Sequence, residues 1–234
     1  MSNSNPAAVI VFRHAHDLPT KQQQAEMDAY NKNLPDDKKR GESYYYIHEA
    51  KPYNLPSPKQ GSITLPWQRL SPDGFSEAKN LGTALPNWIA QHWATVNLVI
   101  TKDPQSKDQT QNPFQTVIPA AYDIEASTDP KINPGMDVEF QLKNDPGFSK
   151  DGLISDGHST LICWDRQGLW RDHGEDKSKT YILQSLAKDK QWPGKFTRPV
   201  KAGTFYVFTN PDKDGKYDIT QYNYDTTHGF VKFA

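Results

Sequence analysis

The chain has 234 residues and a formal net charge of −1, with 27 Lys and Arg against 28 Asp and Glu. This balance gives no reason to expect a nucleic-acid or acidic-lipid surface. No stretch approaches the ~20 consecutive apolar residues of a membrane-spanning helix, and no signal peptide is evident. We therefore expect one domain spanning residues 1–234, without membrane contact and cytoplasmic by default. The single cysteine, Cys163, excludes an internal disulfide and a Cys-based zinc cluster.

Four apolar segments, rich in β-branched and aromatic residues, have the length and composition of buried strands. They are Ala8–Phe12, Val96–Thr101, Ser159–Trp164 and Thr204–Thr209. After the last of them, turn residues (NPDKDGKY) precede an alternating segment, Asp218–Tyr224. That pattern predicts an antiparallel hairpin at the C-terminal end.

Three segments between these strands have the periodicity of helices: about Pro72–Trp93, Pro113–Tyr122 and Ser178–Lys188. Ser71 is the expected N-cap of the first helix, and Asn112 that of the second. Alternation of strands and helices predicts an α/β fold. In such a fold, the connecting loops gather at the carboxyl ends of the strands.

An insertion of about residues 17–65 interrupts the alternation. Repeated prolines there leave only a short helical pattern, Gln22–Asn31. The insertion follows the first strand, where such segments often cover active sites. We expect substrate specificity to come from it and from Asn133–Asp151, because binding residues concentrate in loops on a rigid scaffold.

The first strand is followed directly by Arg13-His14-Ala15-His16-Asp17. A guanidinium, an imidazole and a carboxylate are thus placed at the carboxyl end of a buried strand, where open α/β folds bind ligands. Three ionisable residues in a row are rare beside a core strand. This segment is therefore the leading candidate site.

The segment resembles the Arg-His-Gly motif of the histidine phosphatase (phosphoglycerate mutase-like) superfamily. Three further segments are similar to that family's motifs and occur in its order within about Val9–Leu169. LSPDGFSEAKNLG resembles Leu-Thr-Pro-x-Gly-x-x-Gln-Ala-x-x-Leu-Gly. VITKDPQSKDQTQ falls where the family has Ser-Ser-Pro-x-x-Arg-Ala-x-Gln-Thr, and STLICWDRQGL falls where its strand carries a second His.

The resemblance implies a three-layer α/β/α sandwich with a mostly parallel sheet and an antiparallel edge. It also implies phosphomonoester hydrolysis, in which His14 attacks phosphorus and becomes a phosphohistidine while Arg13 clamps the phosphoryl oxygens. Rigid cationic donors stabilise the charge that a transferring phosphoryl group spreads over its oxygens. The expected ligand is accordingly a small phosphorylated anion, and no cofactor is expected.

The departures from the family pattern change the expected pocket. Ala15 replaces the motif's glycine, and His16 follows it near the phosphate. The second Arg is represented by Lys107, which keeps the charge but loses the bidentate fork. Arg166 stands in the place of the second His and retains a cationic donor without an imidazole's titration range. The predicted phosphate-binding residues are therefore Arg13, His16, Lys107 and Arg166.

The acid that protonates the leaving oxygen is not fixed by the sequence. Asp17 and Asp103 are the predicted candidates, and Asp165 is a third carboxylate at a strand end. His158 lies at the start of its strand, about 20 Å from the carboxyl end by strand rise, and is a poor replacement for the second His.

Two alternatives remain open. The altered pocket predicts, as the first alternative, a family member that binds an anionic ligand or partner or performs non-phosphatase chemistry. The second is a metal-dependent hydrolase, because His14 and His16 alternate on an extended segment and could share a metal ion. Cys163 is interpreted as a buried structural thiol, since it lies inside an apolar strand.

Overall fold

The computed structural model describes residues 5–15, 25, 28–36, 51–55, 61–65, 70, 72–104, 111–144, 153, 157–170, 181–187, 201–209 and 217–233. In chain order the elements are β1 (Ala8–Arg13), β2 (Lys51–Asn54), β3 (Ser62–Leu65), α1 (Pro72–His92), β4 (Val96–Lys102), α2 (Asn112–Ala126), β5 (Glu139–Lys143), β6 (Ser159–Trp164), α3 (Arg166–Leu169), α4 (Ile182–Ala187), β7 (Thr204–Thr209), β8 (Asp218–Asp225) and β9 (Gly229–Lys232).

Seven of the strands form one mixed sheet in the order β5-β4-β6-β1-β7-β8-β9. The pairs β5–β4, β4–β6 and β6–β1 are parallel, whereas β7, β8 and β9 join as antiparallel strands. The predicted α/β fold and its antiparallel C-terminal edge are confirmed. The sheet is mixed rather than mostly parallel, because three of its six strand pairings are parallel and three are antiparallel. The carboxyl ends of β1, β6 and β4 consequently meet at one edge of the sheet.

Strand β1 is buried on both faces, as its unbroken apolar run predicts. Ile10 and Phe12 join a core cluster that includes apolar residues of α1 and α2, such as Leu85 and Val117. Val9 and Val11 join a second cluster with apolar residues of α4. The central position of β1 between these clusters gives the residues that follow it a rigid base.

The strand predictions agree with the structure to within one residue at each end. The helix predicted over Pro72–Trp93 is α1. The predicted N-cap Asn112 is wrong, because Asn112 is already the first residue of α2 and Gln111 occupies the cap position without a side-chain cap bond. Ser71, the other predicted cap, lies outside the described residues.

Several elements were not predicted. They are the hairpin of β2 and β3 inside the proposed insertion, the edge strands β5 and β9, and the single helical turn α3. The third helix is described only over Ile182–Ala187, and part of the pattern at Gln22–Asn31 is helical, at residues 28–31. Within the described ranges, no helix has both the length and the apolar character to cross a membrane.

Candidate functional site

The candidate site lies where the parallel strands β1 and β6 end side by side. Arg13, the last residue of β1, pairs with Trp164, the last residue of β6. The backbone N–H of His14 then donates to the Trp164 carbonyl at 3.2 Å. The segments that begin at His14 and at Asp165 therefore leave the sheet next to each other. This placement agrees with the predicted position of the first motif and of the strand that should carry its partner.

His14 is a buried side chain, only 3% exposed, with a defined ring orientation. Its Nδ1 lies 2.7 Å from the carbonyl oxygen of Ala15. Because a carbonyl oxygen only accepts hydrogen bonds, Nδ1 must carry the proton. In the neutral ring the lone pair is then on Nε2. An imidazole held in this form can act as a nucleophile or as a base.

Ala15 is fixed by the second turn of α2. Its backbone N–H donates to Thr116 Oγ1 at 2.9 Å, and that hydroxyl donates in turn to the Asn112 carbonyl at 2.8 Å. Ala15 also packs in a small buried cluster with Leu70 and Ala78. The residue that follows His14 is thus held by both hydrogen bonds and packing.

The start of α2 carries four buried polar side chains, which we call the α2 polar cluster: Gln111, Asn112, Gln115 and Thr116. Gln115 Oε1 accepts the Leu70 N–H at 3.1 Å, and its Nε2 donates to Gln111 Oε1 at 3.3 Å. The cluster therefore anchors the loop before α1 as well as Ala15. Sequence reasoning missed it, although polar residues repeated at i and i+4 at the start of a largely apolar helix were a readable signal.

Asp165 links the end of β6 to the end of β4. Its Oδ2 lies 2.5 Å from Lys102 Nζ, and its Oδ1 accepts the Gly168 N–H at 2.8 Å as the N-cap of α3. Both carboxylate oxygens are thus engaged. This favours a structural role for Asp165 over the role of proton donor.

The other predicted site residues are placed as follows. Arg166 is the first residue of α3 and is exposed, two residues after the Trp164 carbonyl that receives the His14 N–H. Asp103 directly follows β4, and its N–H donates to the Lys143 carbonyl at 2.9 Å. His16, Asp17 and Lys107 lie outside the described residues.

Cys163 is fully buried inside β6. Burial and, secondarily, the negative charge of Asp165 raise the pKa of its thiol well above the ordinary value. The thiol therefore stays protonated near neutral pH, and a thiolate nucleophile is disfavoured. This supports the interpretation of Cys163 as a structural residue.

His158 lies directly before β6, at the edge of the sheet opposite His14, as predicted. Its Nδ1 is 3.1 Å from Thr95 Oγ1. A cavity of about 850 Å³ opens beside it, lined among others by Asn5, Asn87 and Lys131. His158 thus lies at the amino end of β6, whereas the candidate site lies at its carboxyl end.

No protein-family model matches the chain, and no curated protein does. Function is therefore inferred from the geometry of the site. Within the described parts of the chain, no group of three or more His, Cys, Asp or Glu side chains is placed to hold a metal ion. His16 is not among those residues, so the metal site at His14 and His16 remains a prediction.

Proposed function

We propose that this chain is a divergent histidine phosphatase-like protein that hydrolyses phosphomonoesters through a phosphohistidine on His14. The observation that carries the proposal is the 2.7 Å contact between His14 Nδ1 and the Ala15 carbonyl oxygen. The Nδ1 proton is bound by the Ala15 carbonyl, so the lone pair is on Nε2. The ring is buried at the carboxyl end of the central strand, next to Arg13.

The chemistry follows from that arrangement. Nε2 attacks phosphorus, the bond from phosphorus to the ester oxygen breaks, and the departing oxygen takes a proton from an acid, for which we propose Asp17 or Asp103. Positive charge develops on the ring as the N–P bond forms, and the hydrogen bond from Nδ1 to Ala15 stabilises it. Water then attacks phosphorus and gives a proton to the carboxylate left by the first step, and the N–P bond breaks. This releases inorganic phosphate, returns the lone pair to Nε2 and restores the acid.

The start of α2 adds support and revises one assignment. Gln115-Thr116 repeat the end of the family's Arg-Ala-x-Gln-Thr motif at the beginning of a helix. In that fit Asn112, rather than Lys107, stands at the position of the second arginine. Compared with the family pattern, the pocket would then lack a guanidinium at Asn112 and have an additional one at Arg166. Its number of guanidinium groups would be unchanged, but their positions would differ.

A second candidate function is favoured by the loop after β6. Arg166 replaces the second His, and both oxygens of the neighbouring Asp165 are engaged by Lys102 and Gly168. Such a pocket keeps donors for an anion but has fewer groups that can move a proton. This candidate is a protein that binds a phosphorylated ligand or partner without turnover.

The experiment that separates these functions follows phosphate release from an aryl phosphate between acid and neutral pH. The wild type is compared with His14→Ala, with a chelator control, and with His158→Ala as an imidazole lost from the opposite edge. Phosphate release that is lost in His14→Ala, but is unchanged by the chelator and in His158→Ala, supports a phosphatase that acts through His14. Release abolished by the chelator supports the metal alternative.

No release from the wild type supports the binding function. In that case the pocket is restored by Arg166→His together with Asn112→Arg or Lys107→Arg. Activity that appears only after restoration would mean that the native pocket serves another purpose.

A further inference from the structure

We propose that Thr116 is a positioning residue for His14, acting through the backbone of Ala15. Its consequence for catalysis rests on the function proposed above. Its consequence for the state of the His14 ring does not. Thr116 belongs to α2 and is separated from His14 by 102 positions in the sequence, yet one residue connects their side chains.

The hydrogen bonding between β1 and β6 stops at His14. The last bond between β1 and β6 is donated by the His14 N–H to the Trp164 carbonyl. The next backbone donor, the Ala15 N–H, lies beyond the end of β1 and is buried. A buried N–H requires an acceptor from elsewhere, and Thr116 Oγ1 supplies it at 2.9 Å.

The Thr116 hydroxyl has a fixed direction. Its own proton is donated to the Asn112 carbonyl at 2.8 Å, so its lone pairs are turned towards Ala15. Thr116 is 1% exposed, so bulk solvent does not compete for either bond. The hydroxyl therefore has one acceptor and one donor role, both towards backbone, and a single orientation.

Ala15 connects Thr116 to the imidazole of His14. The N–H of Ala15 is held by Thr116, and its carbonyl oxygen accepts the His14 Nδ1 proton at 2.7 Å. Rotation of the Ala15 backbone would displace that carbonyl and weaken its hold on Nδ1. A weaker hold on Nδ1 shifts the neutral ring towards the form with the proton on Nε2, the atom that must be unprotonated to attack.

The test compares Thr116→Val with Thr116→Ser. Valine keeps nearly the same shape and deletes both hydrogen bonds, whereas serine keeps the hydroxyl. The first readout is the tautomer of His14 in the neutral ring, from the ¹⁵N chemical shifts of the imidazole. Wild type and Thr116→Ser are expected in the Nδ1–H form, and Thr116→Val is expected to populate the Nε2–H form.

The second readout is phosphate release from an aryl phosphate. Thr116→Val should lower kcat by on the order of 10- to 100-fold with a smaller change in KM, because the reacting atom is misplaced while the anion donors remain. Thr116→Ser should stay within about threefold of the wild type. Thr83→Val, at an exposed threonine of α1, controls for the cost of valine in a helix.

The outcomes separate this proposal from the proposed function. A tautomer change in Thr116→Val supports the positioning role even if the wild type releases no phosphate. A wild-type ring in the Nε2–H form overturns the positioning role, and so does a folded Thr116→Val protein whose His14 tautomer is unchanged. If Thr116→Val does not fold, Thr116→Ala deletes the same hydroxyl and is judged by the same tautomer readout.

Discussion

Lys102 Nζ and Asp165 Oδ2 lie 2.5 Å apart and join the carboxyl ends of two adjacent parallel strands, β4 and β6. Their side chains are 16% and 14% exposed, so solvent screens the pair less than an ordinary surface salt bridge. Asp165 also caps α3, the turn that begins with Arg166. The ion pair thus holds the backbone next to the candidate site.

A double-mutant cycle tests this pair. Lys102→Met keeps most of the apolar stem, and Asp165→Asn keeps an oxygen that can still cap α3. We expect a coupling free energy of roughly 1–2 kcal/mol in denaturant unfolding, because each single change leaves a partly buried charge without its partner. A coupling below about 0.3 kcal/mol would mean that the pair contributes no more than a weak exposed one.

Gly168 is required by the packing of Trp164. A Cβ at this position would overlap Nε1 and Cδ1 of the Trp164 indole, which is fully buried and has no space to move. Gly168→Ala should therefore destabilise the protein by about 1–3 kcal/mol, as overpacked cores do, and should shift the Trp164 indole N–H resonance.

Gly157→Ala is the contrasting variant for that prediction. A Cβ there meets no atom within 4 Å, but the backbone has φ of 77°, so any cost comes from the backbone alone. The Trp164 resonance should not move in Gly157→Ala. An unmoved resonance and unchanged stability in Gly168→Ala would contradict the packing argument.

Cys163 should make the stability of the fold sensitive to alkaline pH. Burial raises its pKa in the folded chain, whereas the unfolded thiol ionises near pH 8.5. The unfolded state therefore loses a proton first. The contribution of the protonated thiol to the free energy of unfolding is fully present below about pH 8.5. It is lost as the pH rises from there towards the pKa of Cys163 in the folded chain.

The free energy of unfolding, measured between pH 7 and 10, should accordingly fall more steeply for the wild type than for Cys163→Ala. A thiol reagent should label native Cys163 slowly and the denatured chain rapidly. Parallel pH profiles for the two proteins, or rapid labelling of the native chain, would disprove the burial effect on the thiol.

The sheet was predictable because its signal is local. Runs such as Ala8–Phe12 and Ser159–Trp164 are apolar throughout, which is the pattern of strands covered on both faces. The edge strands β5 and β9 were missed because they mix exposed and half-buried positions and resemble loops. The turn α3 was missed because its four residues are too short for a helical period.

The candidate site was predictable only in part. His14 and Arg13 were identified because they directly follow a recognisable strand. The role of Thr116 could not be read from the sequence, since it depends on a hydroxyl from another element reaching the Ala15 N–H. The structural role of Asp165 likewise could not be read from the sequence. It depends on the pairing of β4 with β6, which places Lys102 beside Asp165.

The most direct test of the proposed function is to trap the covalent intermediate. The protein is mixed with a ³²P-labelled phosphomonoester and denatured in base, because a phosphohistidine survives base and is hydrolysed by acid. We predict label on the wild type and on His158→Ala, acid-labile in both, and none on folded His14→Ala. Label retained by His14→Ala, or phosphate release by the wild type without any acid-labile label, would contradict catalysis through His14.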